Sequence, residues 1–287
     1  MHSMRHGFLL INKPEGPTSH DIVGMVRKAL SERKVGHLGT LDPAASGLMV
    51  LAVGAKALKL VELYNSLPKE YVANISFGSI SATYDREGPI EEYDRNPGVS
   101  DPTDHEIVES IRDRFLGKID QVPPAASAVK VGGERAYRKM RQGKDVELAA
   151  RSVEITTCDL LSYAYPNVKL RIACGSGTYI RSLANDLGLS LKVGGYLTAL
   201  NRTRVGDWSL DDAVTTDIVK WTDVVPLKEV LKDRPKLELS DSQYEDISHG
   251  RLIEGSCDKD AIAWHDGLPV AILEEAASKQ IKARKVL

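Results

Sequence analysis

A chain of 287 residues, 42% of them hydrophobic, has room for one large domain and a small one. Its 38 Lys and Arg face 40 Asp and Glu, a formal net charge of -2, so bulk charge announces no polyanionic partner and any nucleic-acid site must be a local patch. Cys158, Cys174 and Cys257 offer neither a disulfide framework nor zinc-ligand spacing, and no apolar run approaches the ~20 residues of a membrane span. With no signal-peptide pattern at the start, a reducing, cytoplasmic setting and no membrane contact are the expectation.

In chain order, a short strand over Phe8 to Ile11 runs into the turn Asn12-Lys13-Pro14-Glu15-Gly16-Pro17. Thr18-Ser19-His20-Asp21 reads as a capping box, opening a helix that buries Ile22, Val23, Val26 and Leu30. Then comes Gly36 to Gly47, GHLGTLDPAASG, with three glycines, a proline, His37 and the single carboxylate Asp42. Glycines allow tight turns and close approach of a ligand, and the apolar run Leu48 to Val53 that follows reads as a buried strand. A carboxylate on such a loop suits chemistry, although a surface turn carrying an Asp has the same composition.

Ala55 to Leu67 has helical periodicity (Leu58, Val61, Glu62, Tyr64), and Tyr71 to Gly78 alternates with Tyr71, Ala73, Ile75 and Phe77 on one face. Ser79 to Pro102, rich in Asp, Gly, Pro and Ser, predicts a long mobile loop. A capped helix over Thr103 to Phe115, strands over Ser152 to Leu161 and Val168 to Cys174, and a helix from Thr178 to Gly188 follow. Strands and helices interleave without a βαβ period, which predicts an α+β fold with a mixed, largely antiparallel sheet. Lys232 to Pro235 reads as a linker; beyond it a helix capped by Ser240 and short strands around Ala261 to Trp264 and Pro269 to Leu273 make a small β-rich appendage.

Two further constellations carry chemistry. Lys130 to Lys144 holds Lys130, Arg135, Arg138, Lys139, Arg141 and Lys144 against one acid, Glu134. Were Glu134 to Gln142 helical, Arg135, Arg138 and Lys139 would share a face suited to phosphate contact, or simply a solvated one. Gly175 to Arg181 places glycines at a helix start, where free N–H groups favour an anion. Arg181 there could neutralise a buried carboxylate and Tyr179 could stack on a planar base; a capped helix with a surface arginine is the plainer alternative. Histidines and cysteines lie at no metal-ligand spacing, and nucleotide loops and Ser-His-Asp motifs are missing, so a cofactor-free reaction using one carboxylate remains.

Six blocks, NKPEGPTSHD, GHLGTLDPAASGLMVLAVG, KEY, PPAASAVKVGGERAYRKMRQG, GSGTYIRSLANDLG and ALNRTRVG, occur in this order over about residues 8 to 210. Together they resemble the bacterial tRNA pseudouridine-55 synthase family, the TruB type. The resemblance implies a pseudouridine synthase fold that isomerises one T-loop uridine of tRNA by flipping the base out. It implies that Asp42 is the catalytic carboxylate, acting at C1′ or by deprotonation at C2′. Arg181 would be its cationic partner, Tyr71 the aromatic against the base, Leu200 a pocket wall, and His37 the filler of the vacated space, with Tyr179 nearby.

Lys13 and Lys130 match short motifs by the cleft and would touch phosphate, while Arg135, Arg138, Lys139 and Arg141 fall in an RNA-contacting insertion near 120–150. The catalytic domain would span 1–234 and a PUA-like RNA-binding domain 235–287. The implied partner is the tRNA T-arm, with no cofactor, no metal and a monomer needing no protein partner. The alternatives are a related synthase acting on another RNA and a tRNA-folding chaperone. The family often has an aromatic where this chain has Ala126.

Overall fold

The computed structural model describes residues 6–127, 130–131, 134–135, 148–276 and 279–287, and of 130, 131, 134 and 135 only the course of the backbone. The first strands are β1 (Gly7–Lys13), β2 (Val35–His37), β3 (Ala45–Val53), β4 (Lys69–Phe77), β5 (Ser79–Ser81), β6 (Ile90–Glu92) and β7 (Gly117–Gln121). Then come β8 (Lys130–Val131), β9 (Glu134–Arg135), β10 (Arg151–Ala164), β11 (Asn167–Cys174), β12 (Gly195–Val205), β13 (Trp208–Ser209) and β14 (Val225–Pro226). The last five are β15 (Lys236–Glu238), β16 (Ile253–Glu254), β17 (Ile262–His265), β18 (Leu268–Ala276) and β19 (Gln280–Val286). The helices are α1 (Ser19–Leu30), α2 (Ala55–Leu60), α3 (Asp104–Arg114), α4 (Ile180–Ser190), α5 (Leu227–Val230) and α6 (Asp241–Ser248).

The main sheet has ten strands in the order β14-β1-β3-β12-β4-β11-β10-β7, with β13 beside β12 and β2 beside β3. Every pairing in it is antiparallel except β3 with β12. The fold is therefore α+β around a mixed, largely antiparallel sheet. Helices α1, α3 and α4 cover one face, burying Ile22, Val26, Ile107, Leu183 and Leu187 against Ile75, Leu170 and Ile172.

On the other face, Phe8, Leu10, Leu48 and Val50 belong to a second cluster together with Ile262, Trp264 and Ile272 of the C-terminal sheet β15-β17-β18-β19-β16. Strands β1 and β3 are thus buried on both faces, which is why β3 reads as an unbroken apolar run. The predicted caps are present: Thr18 with Asp21 opens α1, Thr103 with Glu106 opens α3, and Ser240 with Gln243 opens α6.

Three expectations need correction, and one strand goes unpredicted. The predicted helix over Ala55 to Leu67 ends at Leu60 and tightens into a 3-10 turn over Val61–Tyr64. The segment 79–102 is not loop throughout: β5 and β6 pair as a hairpin, and Asp85 between them is buried. Glu134 and Arg135 are strand residues paired with Lys130 and Val131, so a helix does not begin at Glu134. Strand β12, at the centre of the sheet, is absent from the predicted elements altogether.

Candidate active site

The glycine-rich loop leaves β2 at His37 and enters β3 at Ala45, and three buried polar side chains fix its backbone. Ser19 Oγ donates to Leu41 O (2.7 Å) and accepts from Leu41 N–H (2.8 Å). Lys13 Nζ donates to Ala45 O (2.6 Å), Pro14 O (2.9 Å) and Pro43 O (3.3 Å). Arg202, from β12, donates through Nε to Leu48 O (2.7 Å), through Nη1 to Thr40 O (3.2 Å) and through Nη2 to Gly39 O (3.2 Å). A loop whose carbonyls are held this way has little freedom left, so the Asp42 side chain is presented in a set position.

That side chain stays 48% exposed, and Arg181 Nη2 lies 3.0 Å from its Oδ2. Arg181 extends from the first turn of α4 and is itself only 8% exposed. Its Nη1 meets a second carboxylate, Asp85 Oδ2, also at 3.0 Å, and its Nη2 donates to Ala126 O at 3.2 Å. Asp85 in turn accepts from Thr83 Oγ1 (2.6 Å) and from Glu87 N–H (3.0 Å). The start of α4 is tied to β7 by Gln121, whose side-chain amide accepts from Tyr179 N–H (2.8 Å) and donates to Tyr179 O (3.0 Å). One guanidinium thus bridges an exposed carboxylate and a buried one.

The register of the sheet completes the arrangement. Leu200 sits opposite Ala45 on β3 and Ala73 on β4, and Arg202 opposite Gly47 and Tyr71. A cleft of about 230 Å3 opens there, lined by Asp42, Lys69, Tyr71, Tyr179, Arg181 and Leu200 among others. Burial raises the Tyr71 phenol above its ordinary range, with Arg202 beside it pulling the other way, so the hydroxyl keeps its proton near neutrality. Burial lowers the Lys69 ammonium, which donates to Leu67 O at 2.7 Å. The cleft sets the side chains of Tyr71, Tyr179 and Leu200 against one carboxylate, Asp42.

Asp42, Tyr71, Tyr179, Arg181 and Leu200, distant in sequence, converge on this cleft. Lys13 does not join them: expected at phosphate, it is fully buried with its ammonium turned to three loop carbonyls. His37 ends β2 opposite Leu51, half-buried beside the cleft but outside its lining, and burial depresses its pKa so that the ring is neutral. Lys130 and Arg135 lie on the β8–β9 hairpin, of whose side chains nothing is described; Arg138, Lys139 and Arg141 lie outside the described residues.

Sequence reasoning missed Asp85, Gln121, Lys69 and Arg202. Lys69 and Arg202 stand inside quoted blocks, but nothing in composition distinguishes Asp85 from the other acids of its segment. Ala126 meets Arg181 through its backbone carbonyl, a contact indifferent to the side chain there.

Residues 27–180 match the model of the TruB family pseudouridylate synthase (N terminal domain). A protein named tRNA pseudouridine synthase B from Mycobacterium sp. (strain KMS) is 40% identical over 284 residues, covering 95% of this chain and 93% of that one. Its namesake from Carboxydothermus hydrogenoformans is 45% identical over 251 residues, 85% of this chain and 84% of the other. Among solved structures, a chain of a Cbf5-Nop10-Gar1 complex superposes with a TM-score of 0.72 at 24% identity, covering 98% of this chain and 84% of its own length, a likeness of fold. With the matched segment holding Asp42, Tyr71 and the start of α4, and relatives aligned over nearly the whole length, the chain belongs to the TruB family of pseudouridylate synthases.

Proposed function

We propose that this enzyme converts the T-loop uridine at position 55 of tRNA to pseudouridine, with Asp42 as the catalytic group and the target base flipped into the cleft. In the reaction the N1–C1′ bond breaks, the base turns, a C5–C1′ bond forms, C5 gives up its proton and N1 gains one. Asp42 acts either by attack at C1′, later released, or by taking and returning the C2′ proton. Both routes need an ionised carboxylate within reach of the sugar, held by a cation that does not cover it.

The observation that carries this reading is the Asp42 carboxylate, 48% exposed, paired at 3.0 Å with a buried Arg181 at the edge of a slot walled by Tyr71 and Leu200. Tyr71 offers the base a neutral phenol ring to lie against, and a base stacked inside a folded loop must flip out of its stack to enter that slot. We assign residues 1–234 to catalysis, with an RNA-contacting insertion near 120–150, and 235–287 to a PUA-like RNA-binding unit. The enzyme works as a cytoplasmic monomer on the T-arm alone.

Asp42→Asn tests the reading. Pseudouridine formation in a T-arm RNA is expected to fall below detection while the affinity for that RNA stays within a few-fold of wild type. Substantial turnover by the variant refutes the role of Asp42. Mapping pseudouridines in total tRNA of a deletion strain tests the substrate, since loss at a site outside the T-loop favours the related synthase acting on another RNA.

A further inference from the structure

Beside the Asp42–Arg181 pair lies a second recess, about 20 Å3, too small for a base. It shares Asp42, Arg181 and Leu200 with the main cleft and is closed by Leu197, Ala199 and Arg86. Arg86 has no part in the chemistry described above, yet its place is well determined. Its neighbour Asp85 is pinned by Arg181, Thr83 and the Glu87 N–H. The Arg86 guanidinium reaches across to Glu15, Nη2 to Oε2 2.5 Å, and the two side chains are 43% and 44% exposed. Glu15 stands in the turn after β1, which is tied to the catalytic loop by the Gly16 N–H donating to Pro43 O at 2.9 Å. Two anchored backbones therefore present one solvent-exposed ion pair beside Asp42.

Two features make this pair unlike a plain strap. An exposed ion pair contributes little stability and exchanges readily with solvent or other ions. The cations near the recess also differ in what is left of them: it is lined by Asp42 and Asp85 with Arg181 and Arg86, while the buried Lys13 lies near Asp42, Glu15 and Glu87. Arg181 is taken up by two carboxylates and two carbonyls, and Lys13 by three carbonyls. Among the described cations lining either recess, Lys69, Arg181 and Arg202 are buried and Arg86 is exposed. A polyanion arriving at this rim needs a cation there that can leave its partner.

We propose that Arg86 is a phosphate clamp for the substrate RNA, held in reserve by Glu15, and that docking exchanges the Glu15 carboxylate for a backbone phosphate next to the target nucleotide. The inference rests on the reading of RNA as substrate. Arg86 lines the recess that shares Asp42, Arg181 and Leu200 with the base slot, so a nucleotide with its base against Tyr71 and Leu200 and its sugar at Asp42 has its flanking phosphates in that neighbourhood. Arginine suits the exchange because its fork binds carboxylate and phosphate with the same geometry.

The test is the dissociation constant of a T-arm stem-loop RNA measured across a salt series. Arg86→Ala is expected to weaken binding several-fold and to reduce the slope of log Kd against log salt by about 0.7 to 0.9, the share of one phosphate. Glu15→Gln is expected to tighten binding, a gain that misfolding cannot mimic, and Arg86→Lys to keep the wild-type slope. Unchanged affinity and slope in Arg86→Ala overturn the clamp, and so does a Glu15→Gln variant that binds as poorly as Arg86→Ala, since the pair is then a strap between two loops. Absence of RNA binding by the wild type also overturns it. Conversion of uridine in the same RNA is scored separately, so a wild type that binds with the expected Arg86 and Glu15 effects yet makes no pseudouridine refutes the proposed reaction and leaves the clamp standing.

Discussion

At the scale of single residues, the site is built around one guanidinium serving two carboxylates. Asp42 and Arg181 could be paired from sequence only through resemblance to a family, because the residues lie far apart and neither is distinctive in composition. Asp85 shows the limit of that route. It lies in a segment that also contains Glu87, Glu91, Glu92, Asp94 and Asp101, and only the folded chain shows which acid is enclosed. Its role follows from desolvation: a buried arginine is costly unless its donors are met, and the exposed Asp42 meets only one side.

Asp85→Asn is therefore expected to destabilise the protein by about 3 kcal/mol, the lower end for breaking a buried pair because Asp42 remains. It should also lower kcat tenfold or more, as Arg181 loses its anchor and turns from the position that holds Asp42 open to substrate. Denaturant unfolding and single-turnover kinetics check both effects. A variant with wild-type stability and kcat would show that Arg181 needs no second carboxylate.

At the scale of elements, periodicity gave the half-buried strand β4, and capping chemistry gave α1, α3 and α6. These succeeded because each signal is local: alternation within one strand, or a hydroxyl and a carboxylate three residues apart. Strand β12 failed for a physical reason. Its pairing with β4 slips between Leu197 and Ala199 and again between Arg202 and Arg204, so no two-residue period survives, and its buried residue near the loop is Arg202, a charge. The hairpin β5–β6 was hidden under turn residues that a tertiary anchor, Asp85 on Arg181, overrides.

Where β3 meets β12 the backbones leave no room for a side chain. Gly47 has φ +105°, and a Cβ there would lie 2.3 Å from Asn201 Oδ1 and 2.4 Å from Arg202 O. Gly16 shares that φ but has open space around it. Gly47→Ala is expected to cost about 3 kcal/mol or more and Gly16→Ala only about 1 kcal/mol, the part due to backbone conformation. Equal losses in thermal or denaturant unfolding would show that the close approach of β3 and β12 is not what demands glycine.

For the whole molecule, the C-terminal sheet is more than an attachment on a linker. Ile262, Trp264 and Ile272 share one hydrophobic cluster with Phe8, Leu10, Leu48 and Val50, and Phe8, Tyr64 and Trp208 pack their rings together at its edge. Polar contacts run alongside: Lys59 Nζ donates to Val286 O at 2.6 Å, Glu62 pairs with both Arg284 and Lys285, and Arg234 lies over the Tyr64 ring while donating to Leu63 O at 2.8 Å. The same β1 and β3 whose ends carry Lys13 and the Asp42 loop thus rest on residues of the C-terminal region.

Burying each large apolar side chain is worth about 1.5–3 kcal/mol, so losing Ile262, Trp264 and Ile272 removes about 5 kcal/mol or more, a share comparable to the whole net stability of a domain. A protein ending at Arg234 is accordingly expected to melt at least 10 °C lower than the full chain, to bind an apolar dye and to self-associate. Its activity on T-arm RNA should fall with the folded fraction and not through RNA affinity alone. The full chain should unfold in a single transition. A truncated protein that stays monomeric, melts with the full chain and loses only RNA affinity would mean that the shared cluster is incidental and that the C-terminal sheet acts purely as a binding module.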